Sequence, residues 1–338
     1  MAAFFDLLKS AATRAFTPGL GFAGGGARVP EVIVKLPPPP KIGLALSCGA
    51  AKGLAHVGVI QVLEENGIEI NAVAGTSMGA YVGALYAAGF NGRELEELAT
   101  EIATAQDVAK LVDPAFPPRR GFILGKRIAE RLRKSLGDRR IEDLPKTMRI
   151  VATELHTFRE RVFSEGDIVD AVWASSAIPG VCVPVELDGV EYVDGAVGNP
   201  LPVDLVREHS DIVIAVSVLP SLADLEEGTT GNPADLPNMP LSIWRAAGLW
   251  LNRNLNYFAK GNLLDILRQA AYGSQIRLME RSAEDADILI RASTGGPNWH
   301  DYHRAPEYIA KGRAAALEML PAIKERIAAF QLEAKRCA

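Results

Sequence analysis

The chain has 338 residues, 48% hydrophobic and 23% charged, with a net charge of -5 at pH 7. This is an ordinary globular composition, long enough for one large α/β domain with appendages, and its mild acidity gives no general attraction to nucleic acid or an anionic membrane. Three scattered cysteines (Cys48, Cys182, Cys337) and five histidines without HExxH spacing argue against a disulfide framework, a metal site or a cofactor, and fit a reducing, cytoplasmic compartment.

At the N-terminus, MAAFFDLLKSAATRAF lacks the basic front and long apolar middle of a secretory signal. Its apolar residues recur at helical spacing, so residues 3–16 read as an amphipathic helix that docks on the body, on a partner or on a lipid surface. Residues 17–40 are a linker by composition, rich in glycine and ending in four prolines that favour an extended spacer. One folded domain is expected over 41–334. No apolar run approaches the length of a spanning helix.

From Lys41 the pattern changes. IGLALS reads as a buried strand, GLAHVGVIQVLEENG as a helix and INAVAG as a second strand, an order that implies parallel pairing. A helix of small residues, GAYVGALYAAGF, follows. Residues 92–145 are helical and loop-rich, with ELEELATEIAT and GKRIAERLRKSLG as the clearest helices. MRIVATEL and ERVFSEG read as strands and DIVDAVWASSAI as a helix. VELDG and VEYVDGAV form a hairpin turning at Asp188-Gly189. NPLPVDLVREHS is a proline-initiated helix, and DIVIAVSV a strongly apolar strand. A polar loop leads to a helical insertion at about 238–282, then to the strand DADILIRA and a closing helix over 304–334. The expected class is a three-layer α/β/α fold with a mostly parallel central sheet and an added C-terminal helical layer.

Between the second strand and the small-residue helix stands GTSMG, the G-x-S-x-G pattern of a nucleophile elbow. Gly75 and Gly79 leave room where strand and helix close on each other, and Ser77 stands at the strand's carboxyl end over the helix N-terminus. A serine hydroxyl needs a base. His209, His300 and His303 are the candidates for a triad, and none lies in a convincing loop after a strand. Asp194 follows a strand directly and precedes Gly195, which lets backbone pass close to a site.

Three segments in this order, LSCGAAKGLAHVGVI, AGTSMGAYVGALYAAG and YVDGAVGNPLPVD, resemble the patatin-like phospholipase family, in particular its small bacterial members. ASSAIPGVCVPV adds a fourth likeness. The resemblance covers residues 41–222, with weaker support at the end. It implies a serine–aspartate dyad, Ser77 as nucleophile and Asp194 as its base, acting through an acyl-serine on phospholipid, lysophospholipid or simpler carboxylic esters. It also implies a backbone oxyanion hole after the first strand, at Gly49, Ala50 and Ala51, with Lys52 and Gly53 supporting the loop. The family's run of glycines is here Cys48-Gly49-Ala50-Ala51, and alanine is harmless there only where φ is negative. Gly24-Gly25-Gly26 spells the run better, but no buried strand leads into it.

The same acyl-enzyme would also serve an acyltransferase or a thioesterase, and the altered loop keeps open a catalytically weak regulatory protein retaining the fold. The segment 241–258, LSIWRAAGLWLNRNLNYF, carries an aromatic stripe that suits an acyl groove, a bilayer surface at the inner membrane face, core or a homo-oligomer contact.

Overall fold

The structure is a computed structural model, and it describes residues 38–224, 263–293 and 301–337. All of them fall within one unit, Pro37–Ala338. The expectations for residues 3–16, for the glycine run at 24–26 and for the aromatic stripe at 241–258 lie outside the described residues.

Among the described residues, eight strands form one mixed sheet: β1 (Ile42–Leu46), β2 (Ile70–Thr76), β3 (Thr147–Glu154), β4 (Glu160–Phe163), β5 (Val185–Leu187), β6 (Val190–Asp194), β7 (Ile212–Ser217) and β8 (Ile288–Arg291), in the order β5-β6-β3-β2-β1-β7-β8 with β4 also on β3. The centre is parallel from β3 through β8, and the pairs β3–β4, β3–β6 and β5–β6 are antiparallel. The described helices are α1 (Ala55–Glu65), α2 (Met78–Ala87), α3 (Gly92–Thr100), α4 (Ala105–Leu111), α5 (Lys126–Leu136), α6 (Ile168–Ser175), α7 (Val203–Arg207), α8 (Leu263–Ala283) and α9 (Ala305–Cys337).

The period-two alternation of the strands divides the core. Leu44, Leu46, Val73, Ile150, Ile214, Val216 and Ile290 face one side, against α1, α2, α6 and α9. Ala45, Ala72, Ala74, Val213 and Ala215 face the other, where their small side chains admit α7 and α8. These are the expected three layers, and the two C-terminal helices fall one on each face. The turn between β5 and β6 has Asp188 at φ 51 and Gly189 at φ 78, the left-handed pair of a two-residue hairpin. The proline-initiated helix is shorter than its sequence pattern, because residues 199–200 hold loops instead: the Asn199 carbonyl accepts from Thr76 Oγ1 (2.8 Å) and that of Pro200 from the Cys48 amide (2.9 Å).

β3 is the strand on which the site is measured. Ile150 to Thr153 pair with β4 along one edge. Along the other edge β2 pairs as far as Thr76↔Val151, and β6 takes over at Asp194↔Ala152. A strand residue has one partner on each side, so β2 and β6 run toward each other along the same edge and stop at adjacent rungs. Asp194 stands at the second stop, and Ser77 is the residue that follows Thr76 at the first.

Candidate active site

Ser77 sits at the junction of β2 and α2 with φ 57 and ψ -120, a backbone conformation that side chains disfavour. Two close approaches force the turn. A Cβ on Gly75 would collide with the Gly79 backbone, and one on Gly79 with the Leu46 and Ser47 carbonyls at the end of β1. The Ser77 amide donates to Ser175 Oγ at the end of α6 (2.8 Å), and its carbonyl accepts from the Tyr81 amide (3.0 Å). The side chain is therefore aimed by its backbone and not by its own rotamer alone.

Ser77 Oγ donates to Asp194 Oδ2 at 2.7 Å. Both residues are buried, at 5% and 4% exposure. Asp194 Oδ1 accepts from the Ala196 amide (2.8 Å), and the Asp194 amide donates to the Ala177 carbonyl (2.9 Å). Burial pushes the Asp194 carboxyl from 3.8 up to about 6, against the opposing pull of the Ala196 and Ser77 hydrogen bonds. Gly195 is the crossing point: a Cβ there would strike the Val151 carbonyl of β3.

The loop after β1 runs beside this pair, because β1 and β2 are parallel neighbours with Leu46 level with Gly75. It continues as a 3-10 turn, Ala50–Leu54, in which Lys52 donates to the Gly49 carbonyl (3.1 Å). The amides of Gly49, Ala50 and Ala51 precede that first internal bond, the position where a helix leaves donors for a ligand. Gly49 is extended at φ 166, and what demands glycine is the Val218 side chain lying where a Cβ would go. Ala50 has φ 46. The alanine in place of the family's glycine thus stands in the left-handed region, at a cost of about 1 kcal/mol or more. Gly53 packs directly on Met78, the residue after Ser77. Lys52 is buried, and burial together with Lys311 holds its ammonium below the usual lysine range. Cys48 is buried too, and burial and Asp194 push its thiol well above the ordinary range, so it is neutral.

Among the described histidines none hydrogen-bonds Ser77 Oγ. His209 Nε2 meets the Arg149 guanidinium (3.0 Å), His156 Nε2 meets Glu191 (3.0 Å), and His303 lies on the short turn Tyr302–Arg304. His300 is outside the described residues. His56, on α1, bonds the Ser47 carbonyl through Nε2 (2.9 Å), and burial lowers it to about 4, so it is a neutral support under the loop.

Sequence reasoning missed three contributors. The Ala196 amide follows the Asx-turn habit of an aspartate bonding the backbone two residues on. Ser175 lies in the quoted ASSAIPG segment, but nothing in the string singles it out over Ser176. The third is a narrow apolar slot lined by Tyr81, Ile128, Leu132, Trp173, Ala177 and Cys182, among others. It adjoins the pair through Tyr81, whose amide bonds Ser77, and through Ala177, whose carbonyl bonds Asp194. No group of acidic, histidine or cysteine side chains suited to a metal occurs among the described residues, and no helix among them is long and apolar enough to cross a membrane.

Residues 44–207 match the sequence model of the family described as patatin-like phospholipase. This segment belongs to the patatin-like phospholipases. The match runs from β1 to α7 and so contains the elbow, the loop after β1 and Asp194. The patatin-like chain is similar to an uncharacterized NTE family protein of Mycobacterium tuberculosis, 39% identical over 182 residues, 53% of this chain and 49% of that one. It is also similar to the human patatin-like phospholipase domain-containing protein 6, 27% identical over 71% of this chain and 17% of that one. A lysophospholipase of Candida glabrata is 32% identical over 73% of this chain and 14% of its own length. The patatin-like chain therefore spans half or less of the curated relatives it matches. Among solved structures, VipD from Legionella pneumophila aligns at a TM-score of 0.43 with 15% identity, over 84% of this chain and 67% of that one.

Proposed function

We propose that the protein is a serine acyl hydrolase that cleaves phospholipid or lysophospholipid esters with Ser77 and Asp194 as its catalytic pair. The observation that carries this reading is the buried 2.7 Å hydrogen bond between them. As Ser77 Oγ attacks the ester carbonyl carbon, its proton passes to Asp194 Oδ2. The amides of Gly49, Ala50 and Ala51 receive the negative charge that gathers on the carbonyl oxygen. Collapse of the tetrahedral species expels the alcohol, which takes the proton back from Asp194, and leaves an acyl-serine. Asp194 then removes a proton from water as it attacks the acyl carbon, and returns that proton to Ser77 as the acid leaves.

A solvated aspartate is too weak a base to serve at neutral pH, and a pKa of about 6 brings it near the working range. The narrow apolar slot beside Ser77 offers an apolar wall to the first part of an acyl chain. The substrate class rests on that slot and on the relatives named as phospholipases and lysophospholipases.

A fluorophosphonate probe should label the wild-type protein at Ser77, and labelling should disappear in Ser77→Ala. With lysophosphatidylcholine, free fatty acid should be released by the wild type only. Folded protein that takes no label would refute the assignment, as would release that survives in Ser77→Ala.

A further inference from the structure

We infer that the protein docks on a phospholipid surface through two phenylalanines, Phe116 and Phe158, carried on neighbouring loop tips beside the mouth of the apolar slot. Phe116 is 95% exposed and Phe158 77% exposed, well above the next exposed apolar side chains among the described residues. Phe158 carries a second cost. Its φ is 57, a conformation in which a bulky side chain is a genuine outlier. A residue that is strained as well as exposed is kept for something it meets outside the fold.

The two tips belong to one surface. The segment carrying Phe116 is strapped at its base: the Ala115 amide donates to the Phe122 carbonyl (2.9 Å), and those of Phe122 and Ile123 to the Val181 carbonyl (2.8 and 3.0 Å). Asp113 is buried and accepts from the amides of Gly125, Lys126 and Arg127. Phe158 lies in the turn between β3 and β4, where its amide donates to the Glu154 carbonyl (3.0 Å). Glu191 of β6 ties the two together. Its carboxylate takes both guanidinium nitrogens of Arg120, four residues past Phe116, at 2.6 and 2.8 Å, and His156, two residues before Phe158, at 3.0 Å. The Glu191 carbonyl also accepts from the Leu155 amide (2.8 Å).

Charge and position choose the occupant. The first tip reads FPPRRG, and Arg159 follows Phe158 directly; at the base of the first tip the Lys126 amide donates to Asp113, and the Arg127 guanidinium donates to the Lys110 and Val112 carbonyls. Of the acids on this side, Asp113 is turned inward on amides, Asp107 pairs with Lys110, Glu154 accepts from Thr157 Oγ1, Glu191 is occupied by Arg120 and His156, and Glu186 lies near Arg120. Apolar side chains beside cations fit an interface of acyl chains under anionic headgroups. Two separate narrow tips also suit insertion between lipids better than the flat, continuous patch of a protein partner. The strap reaches the slot directly, since Val183 donates to the Ile123 carbonyl (2.9 Å), Cys182 lines the slot, and Ile128 lines it while partly exposed. Only the choice of a lipid surface over another apolar one rests on the acyl-hydrolase reading.

The test uses the full chain with vesicles of phosphatidylcholine and phosphatidylglycerol whose acyl chains are brominated. Phe116→Trp and Phe158→Trp should each show added tryptophan emission that blue-shifts and is quenched on these vesicles, beyond the change of the wild type. The double variant Phe116→Ser, Phe158→Ser should bind vesicles roughly tenfold or more weakly, the worth of burying much of one phenyl side chain, and keep its fluorophosphonate labelling. Arg119→Glu should weaken binding to the anionic vesicles and leave binding to pure phosphatidylcholine nearly unchanged. Unquenched tryptophan at both positions, or equal vesicle binding by the double variant, overturns the proposal. Quenching with no Ser77 labelling would leave the docking surface standing and remove the hydrolase.

Discussion

Lowering the pH from 7 to 5 should cost the protein about nine-tenths of its kcat/KM toward a soluble ester. Loss of water around the Asp194 carboxyl pushes its pKa from 3.8 to about 6. A base with that pKa is about 90% ionised at pH 7 and about 10% at pH 5, whereas a carboxylate at its usual value stays ionised throughout. The assay is the initial rate with a short-chain p-nitrophenyl ester across this range, with far-UV circular dichroism showing that the fold persists. The expected profile rises with unit slope to a plateau, with its midpoint near pH 6. An unperturbed histidine titrates close by, so the midpoint is followed with temperature as well. Carboxyl ionisation has little enthalpy and its midpoint should barely move, whereas an imidazole's would shift. A flat profile between pH 5 and 7, or a midpoint that falls steeply on warming, would refute the assignment of the base.

The same shift has the opposite sign for folding. A carboxyl whose pKa is raised in the folded state lowers stability above pH 6, by up to about 3 kcal/mol for a change from 3.8 to about 6, and the penalty fades as pH falls from about 6 through 3.8. Asp194→Asn should therefore unfold at higher denaturant than the wild type at pH 8, while its kcat falls at least a hundredfold. Ser77→Gly should be more stable than Ser77→Ala by about 1 kcal/mol in urea melts, because the φ of 57 is strained for alanine and free for glycine. Ala50→Gly should gain about 1 kcal/mol, as relief of 1–2 kcal/mol at φ 46 outweighs glycine's greater freedom in the unfolded chain. Substituting His156, His209 or His303 by glutamine should leave most of the turnover in the ester assay, and an essential histidine among them would return the site to a triad.

Much of this was legible in the sequence because the strands announce themselves. IGLAL, INAVAGT and IVIAVS are short, apolar and bounded by turn residues, and all three are strands of the parallel centre. The GTSMG turn was legible since close packing of β1, β2 and α2 leaves no room for side chains at Gly75 and Gly79. Asp194 was harder. A DG pair after a strand is a common turn, and only the family likeness distinguished it. That it reaches Ser77 depends on the pairing of both strand ends with β3, a long-range fact with no local signature. The backbone angle at Ala50 was equally hidden, as alanine normally avoids the region it occupies. The apolar slot draws its lining from α2, α5, α6 and the chain at 182, and spacing within any one of these says only that a helix has a buried face.

The meeting of β2 and β6 on one edge of β3 has a consequence for how such a protein can change. Each rung of a sheet is a fixed step of about 3.3 Å with alternating faces, so the gap between hydroxyl and carboxylate is set in whole steps along a third strand. The two residues are 117 positions apart, and the chain strung between them enters that spacing where it supplies β3 and the contacts of Tyr81, Ser175 and Ala177. Straps and aromatic tips that touch none of these contacts are thus at liberty to be lengthened, trimmed or exchanged, while the hydroxyl and the carboxylate stay at the same distance.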